Sequence, residues 1–296
     1  MRTLLTALAV VALVTASDAT RVARTQDFSG IRSTSVTVSG TGVRYLLAHQ
    51  TAGDGFAEPG GSPSPELTAW AVLGLRAAGA SSRAGTLAYL QSHEADLRDA
   101  TDVELAAMAQ SVLGGKPDGL LARIERLERR SGAIGPNVNS TTWGILALRQ
   151  AGRAAPRTAV RYLLRRQARS GGWPWFPGGQ PDSNDTAAAL EALRAAGIRG
   201  KPIQRGLAYL NRLRNHDGGF ELTPGRGSDS QSTAWAIQAF LAAGKPLPKG
   251  ALAYLRRMRR KDGSLRYSAR YVTTPVWVTA QVLPALARRP FPLTAR

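Results

Sequence analysis

The chain repeats itself, and no other feature so limits the folds open to it. "AYL" or "RYL" recurs with its tyrosine at Tyr45, Tyr89, Tyr162, Tyr209 and Tyr254. A second phrase, a polar pair followed by "TAW" or a variant, recurs at Trp70, Trp143, Ala188, Trp235 and Trp277. The two series keep step: 73 residues separate Tyr89 from Tyr162 and Trp70 from Trp143, and 47 separate Tyr162 from Tyr209 and Ala188 from Trp235. A 73-residue interval is about two units, so each series hides one degenerate copy. These are "LLARIERLERRSGAIG", with Ile124 in the tyrosine's place, and "TDVELAAMAQSVLGG". Six units of about 35 to 47 residues are the mark of a stacked array, in which each unit buries its neighbour.

Each unit reads as helix, glycine-rich loop, helix, turn. In "TAVRYLLRRQARSGG", Val160, Leu163 and Leu164 recur at helical spacing while arginine fills the other face. In "STAWAIQAFLAAG" nearly every position is apolar or small, as in a helix buried all round. The first helix of each unit is therefore expected on the outside and the second within. Glycine after "AA" gives a helix stop, and Pro156, Pro202 and Pro246 follow where a helix cannot continue. The expected fold is all-α, an (α/α)6 toroid of six inner and six outer helices, with no competing β signal.

With 296 residues, 43% of them apolar, the chain can build a large core. Cysteine is absent, which removes disulfides, zinc-thiolate sites and cysteine nucleophiles. At the N-terminus, Arg2, an apolar run from Leu4 to Val14 and the small residues of Ala16-Ser17-Asp18-Ala19 have the form of a secretory signal over residues 1–19. Residues 20–41 read as a linker, 42–290 as the toroid and 291–296 as a tail. The expected location is secreted or extracytoplasmic, with no transmembrane segment beyond the signal. The formal charge of +19 sits mostly in arginines of the outer helices. Such faces are ordinarily solvated, but they also suit an anionic envelope surface. No aromatic residues interleave with the basic ones, which argues against nucleic acid.

The loops read "GDGF" (53–56), "SGGW" (170–173), "HDGGF" (216–220) and "KDGSL" (261–265). Unit four places Arg157, Tyr162-Leu163, Gln167 and Gly171-Gly172-Trp173 in order, which resembles the "QW" repeat of squalene–hopene cyclases. Similar loops and "TAW" helices occur in protein prenyltransferase β-subunits, so residues 42 to about 290 resemble the terpenoid cyclase/prenyltransferase superfamily of α/α toroids. Departures are Arg214 and Arg259 at the Gln position of units five and six, a single domain, and no cysteine for the prenyltransferases' zinc. His49, His93 and His216 stand singly in polar surroundings and read as solvated. No cofactor is expected.

"DSNDTA" (182–187) matches the acid motif Asp-x-Asp-Asp-Thr-Ala of that superfamily except at Asn184, where the resemblance puts the proton-donating Asp. An amide has no such proton to give. Asp182 and Asp185 remain as candidate catalytic acids. The expectation from local chemistry is that Asp185 caps the fourth inner helix, accepts a backbone N–H and has a lowered pKa. Six inner helices starting on one rim would bring Glu66, Asn139, Asn184, Asp185 and Gln231 around one mouth. Trp70, Trp143, Trp235 and Trp277 would lie one turn deeper or between helices. A polar rim over an aromatic lining suits an amphipathic or isoprenoid-like small molecule. Asp96, Asp99 and Asp102 could hold a divalent cation, although their spacing is neither Asp-Asp-x-x-Asp nor a calcium loop; a solvated loop with one helix cap is the expectation. The sequence thus points first to a non-catalytic toroid that binds an amphipathic ligand or a protein partner. The alternatives are a terpenoid cyclase or prenyltransferase-like enzyme using Asp182/Asp185, and an envelope-associated scaffold. The ring alone cannot choose, since toroids also serve cobalamin carriers and polysaccharide-degrading enzymes.

Overall fold

The computed structural model describes residues 40–293, so the expected signal and nearly all of the linker lie outside the described residues. Twelve helices alternate in role along them. The outer series is α1 (residues 40–48), α3 (Thr86–Ser92), α5 (Asp118–Arg126), α7 (Arg157–Arg165), α9 (Lys201–Arg212) and α11 (Ala251–Arg257). The inner series is α2 (Pro65–Ala77), α4 (Ala100–Val112), α6 (Val138–Gln150), α8 (Ser183–Ala195), α10 (Ser230–Ala242) and α12 (Pro275–Leu286). Inner helices pack in order, and α12 closes onto α2. Each of the outer helices α3, α5, α7, α9 and α11 packs between two inner ones, and Gly42 of α1 lies against Thr279 and Leu283 of α12. The architecture is a closed (α/α)6 toroid, and none of its described helices is long and apolar enough to cross a membrane.

Burial separates the two series as the periodicity predicts. Between Ser230 and Phe240 of α10 only Gln231 escapes full burial. In α7, Ala159, Tyr162 and Leu163 are buried while Arg157, Arg161 and Arg165 face outward. The outer arginines do more than meet solvent. Arg165, Arg212 and Arg257 donate to the carbonyls of Ser131, Ser170 and Asp217, each in the loop of the preceding unit. Gln50 and Gln167 link forward, to Thr86 and to the Pro202 carbonyl.

One hydrogen bond recurs in five of the six units. The backbone N–H of the loop residue after the glycines donates to a threonine hydroxyl in the first or second turn of the inner helix. The pairs are Phe56–Thr68 (2.9 Å), Ile134–Thr141 (3.1 Å), Trp173–Thr186 (2.9 Å), Phe220–Thr233 (2.9 Å) and Leu265–Thr279 (3.0 Å). A buried amide without a partner costs about 1–3 kcal/mol, so this bond fixes the phase of each unit. It also corrects the reading of unit six. The anchor there is Thr279, so Gln281 joins the aromatic layer and Trp277, expected one turn deeper, lies four residues earlier, on the rim.

Two short antiparallel ribbons, absent from the expectation, precede α8 and α10. β1 (Trp173–Pro174) pairs with β2 (Pro181–Asp182), and β3 (Phe220–Glu221) with β4 (Ser228–Asp229). They form because the anchored loop residue faces the helix cap directly, Trp173 against Asp182 and Phe220 against Asp229. Unit two has no such loop. There Glu94–Asp96 makes one 3-10 turn, and Asp99 and Asp102 form a capping box at the start of α4.

The loop glycines sit where the next unit's backbone arrives. Gly171 has φ +99°, and a Cβ there would lie 2.5 Å from the Arg205 carbonyl oxygen of α9. Gly263 (φ +92°) meets the Thr41 carbonyl in the same way and seals unit six to unit one. Gly171→Ala is therefore expected to destabilise by about 2 kcal/mol or more, through strain and displaced backbone. Gly119→Ala, within α5 and with nothing within 4 Å of its Cβ, is expected to stabilise by about 1 kcal/mol. Chemical denaturation of the two variants checks both signs.

Candidate functional site

The inner helices all begin on the same face, and their first turns surround a cavity of about 330 Å3 on the ring axis. Counting from the anchoring threonine gives its layers. Two residues before it stand Glu66, Asn139, Asn184, Gln231 and Trp277, with Thr101 the equivalent in unit two; these form the rim. One helical turn deeper stand Trp70, Leu105, Trp143, Ala188, Trp235 and Gln281. Trp175, from the loop before α8, and Leu222, from the loop before α10, complete the mouth together with Asp182 and Asp185. Every residue expected at the ligand site lines this one cavity. The correction concerns level: Trp277 is on the rim.

The floor is aromatic. Trp70, Trp143 and Trp235 come from alternate inner helices and meet on the axis. Their ring centroids are 5.4, 5.5 and 5.9 Å apart, with planes 80–87° from each other. Edge-to-face contacts of this kind suit the ring quadrupoles and add about 0.5–1.5 kcal/mol per pair beyond area burial. Gln281 holds the wall, its Oε1 accepting from Gln231 Nε2 (2.8 Å) and Trp235 Nε1 (3.2 Å).

The acid pair differs from its expectation. Asp182 is the N-cap of α8, accepting the Asp185 backbone N–H at 2.8 Å, so Asp185 is not the cap. The ribbon register fixes this, because pairing with Trp173 puts Asp182 in extended backbone just before the helix. Asp185 instead stands in the first turn, turned toward α6, where its Oδ1 accepts from Asn139 Nδ2 at 2.7 Å. It is buried. Burial, and then the Asp182 carboxylate beside it, push its pKa well above the usual carboxylate range, the opposite of the lowered value expected for a cap. Asp182 is also raised by burial, while its hydrogen bonds with Asp185 work the other way, so of the two it is Asp185 whose pKa is held further up. Glu66, across the mouth, is raised by burial and then by Asp102 and Asp99. A chain of net charge +19 thus has a mouth lined, among the described residues, by three acids and by no lysine or arginine.

The other candidates are placed elsewhere. Asp102 accepts the Arg98 and Asp99 N–H groups at the start of α4 (3.2 and 3.1 Å), so its carboxylate serves a helix terminus. Among the described residues no three of His, Asp and Glu gather as metal ligands. His49 and His93 lie against Tyr45 and Tyr89, each with Nδ1 2.8 Å from that tyrosine's carbonyl. Sequence reasoning missed Trp175, whose carbonyl accepts the Val138 and Asn139 N–H groups. The second aromatic of "WPWFPGG" was the available signal.

Asp229, the cap of α10 and the counterpart of Asp182, has its pKa pushed up to about 6 by burial. An acid raised in the folded state contributes stability below its unfolded pKa near 3.8 and loses it as pH rises through about 6. Asp229→Asn keeps the capping oxygen without the charge. Its thermal midpoint, measured against that of the unmodified protein, is expected to improve between about pH 4 and pH 7, by up to about 3 kcal/mol in stability. A difference independent of pH contradicts the assignment.

No family model matches the sequence, and no curated protein does. Solved structures do. A protein from Actinoplanes superposes with a TM-score of 0.68 at 20% identity, over 86% of this chain and 99% of that one. The type II terpene cyclase MstE from Scytonema, solved with geranylgeranyl dihydroxybenzoate, gives 0.65 at 14% over 86% and 97%. An ent-copalyl diphosphate synthase from Streptomyces platensis gives 0.56 at 19% over 77% and 52%. At these identities the likeness is one of fold, and the fold of this chain is the α/α toroid of the terpenoid cyclases.

Proposed function

We propose that the protein takes a neutral, isoprenoid-like amphipathic molecule into the axial cavity, in the extracytoplasmic location expected from residues 1–19. The single observation behind this is the two-layered lining. The rim offers amides, hydroxyl and carboxyl groups, and the turn below offers three indole faces and edges. An apolar chain gains burial against Trp70, Trp143 and Trp235, while a polar end finds donors and acceptors at Glu66, Asn139 and Gln231. The same lining selects against phosphorylated ligands. A diphosphate calls for arginine, lysine or a metal, and here it would face Glu66 and the Asp182/Asp185 pair.

A second reading, proton-initiated chemistry on the bound molecule, is favoured by the state of Asp185. Protonating an alkene needs a desolvated acid that is still protonated at neutral pH, and a place for the resulting cation. Asp185 is buried with its pKa pushed well above the usual carboxylate range, Asn139 Nδ2 is placed to stabilise the carboxylate left behind, and the tryptophans offer π faces. Against it stand Asn184 at the superfamily's acid position and the Asp182 carboxyl beside Asp185, whose charge helps to keep the Asp185 proton in place. Binding without turnover is therefore the first reading.

Purified protein is titrated with geranylgeraniol and with geranylgeranyl diphosphate while tryptophan fluorescence is followed, then incubated with each and with squalene. The alcohol is expected to bind at least about tenfold more tightly than the diphosphate, a difference of about 1.4 kcal/mol. Equal or tighter binding of the diphosphate, or no binding of any isoprenoid, overturns the ligand reading. Cyclised product lost in Asp185→Asn establishes the second reading. Product from Asn184→Asp alone shows a cavity shaped for the chemistry but short of its acid.

A further inference from the structure

Residues 291–296 read in sequence as a tail after the toroid, and of these Phe291 and Leu293 are buried. The chain turns back after α12 and enters the toroid from the face opposite the mouth. Phe291 lies beneath the tryptophan triad, its ring centroid 6.4 Å from Trp70, 6.1 Å from Trp143 and 6.1 Å from Trp235. Its backbone N–H donates to Glu191 Oε2 at 2.6 Å, and Leu293 exchanges hydrogen bonds in both directions with the Gln150 side chain.

Helix geometry shows why these partners are the ones met. The axial face of each inner helix continues seven and eleven residues below its rim position. In α8 that face runs Asn184, Ala188, Glu191, and in α6 it runs Asn139, Trp143, Gln150. The same lines that form the cavity therefore carry, lower down, the groups that grip the tail. Glu191 is fully buried; its Oε2 accepts the Phe291 amide, and among the described residues its Oε1 has no hydrogen-bond partner. A buried carboxyl is costly unless it serves a contact, and here that contact is with the tail.

We propose that Phe291 is a specificity-determining residue, the buttress that holds the three indoles across the axis and so limits how long a chain the cavity accepts. The inference rests on the isoprenoid-like ligand proposed above. Phe291 acts through the tryptophans, and it is a positioning residue. Removing its phenyl ring vacates six carbons directly below the triad, about the room of one five-carbon isoprene unit. The indoles can then swing downward, and the cavity deepens.

The test measures binding of geraniol, farnesol, geranylgeraniol and a C25 isoprenol to the full-length protein and to Phe291→Ala and Phe291→Leu. The longest chain bound by the unmodified protein sets the reference. In Phe291→Ala the next longer alcohol is expected to bind about tenfold more tightly than it does to the unmodified protein, equivalent to about 1.4 kcal/mol. The shortest alcohol should change by less than about threefold, a difference within about 0.7 kcal/mol. Phe291→Leu, which keeps most of the apolar volume and protects against loss of the fold, should lie between the two. A merely structural role would weaken all chain lengths together. Such uniform weakening, or an unchanged length limit in both variants, overturns the buttress while leaving the ligand reading intact. Binding of none of the alcohols to any of the three proteins defeats the ligand reading, and the buttress with it.

Discussion

The fold turns on a backbone amide that has to be satisfied inside the protein. Each glycine loop pushes one large residue inward, and burying Phe56, Trp173 or Phe220 takes its N–H away from water. The threonine hydroxyl of the inner helix accepts that N–H, and three of the five donate in turn to a carbonyl four residues back: Thr68 to Ser64 (2.7 Å), Thr141 to Asn137 (3.0 Å) and Thr233 to Asp229 (2.6 Å). One side chain thus ties loop to helix and sets the height at which five of the six inner helices start. The site follows from that height. Positions two before the threonine become the rim, positions two after it become the aromatic layer, and three tryptophans meet on the axis because α2, α6 and α10 all start level.

Charge is sorted by the same architecture. Arginines fill the outward face of the outer helices, and several use a guanidinium to hold the carbonyls of the preceding loop, so the positive exterior is part of the joint between units. The inward turns carry acids. Desolvation there raises the pKa of Glu66, Asp182 and Asp185 together, so each resists ionisation more than a solvated carboxyl does. A ligand entering the mouth meets hydrogen-bonding groups and indoles, with no fixed cation to hold a phosphate.

Much of this was legible in the sequence, for a physical reason. The tyrosine and tryptophan phrases are core positions, and a closed ring of equivalent units must repeat its core. The degenerate copies around Ile124 and Val103 obeyed the same spacing and became α5 and α4. Unit six was misphased because "VWVT" carries a tryptophan near the helix start, where only the bond from Leu265 to Thr279 shows which threonine is the anchor. The state of Asp185 was not legible at all. Local chemistry favours a cap, but its environment is made by Asn139, 46 residues away on another helix, and by a ribbon register that hands the capping role to Asp182. The tail escaped notice because Phe291 and Leu293 follow a run of arginine and proline with no period to mark them. Their role depends on Glu191 and Gln150, which sequence shows only as polar residues within apolar helices.

The character of the mouth depends on a chamber dry enough to hold the Asp185 carboxyl well above the usual carboxylate range. Infrared difference spectroscopy of the unmodified protein against Asp185→Asn reads this directly. At pH 7 the account predicts a protonated-carboxyl C=O stretch in the unmodified protein that disappears in the variant, with no loss of carboxylate bands. A difference spectrum showing only the loss of an ionised carboxylate would mean that the mouth is wet and Asp185 charged, and would contradict the account.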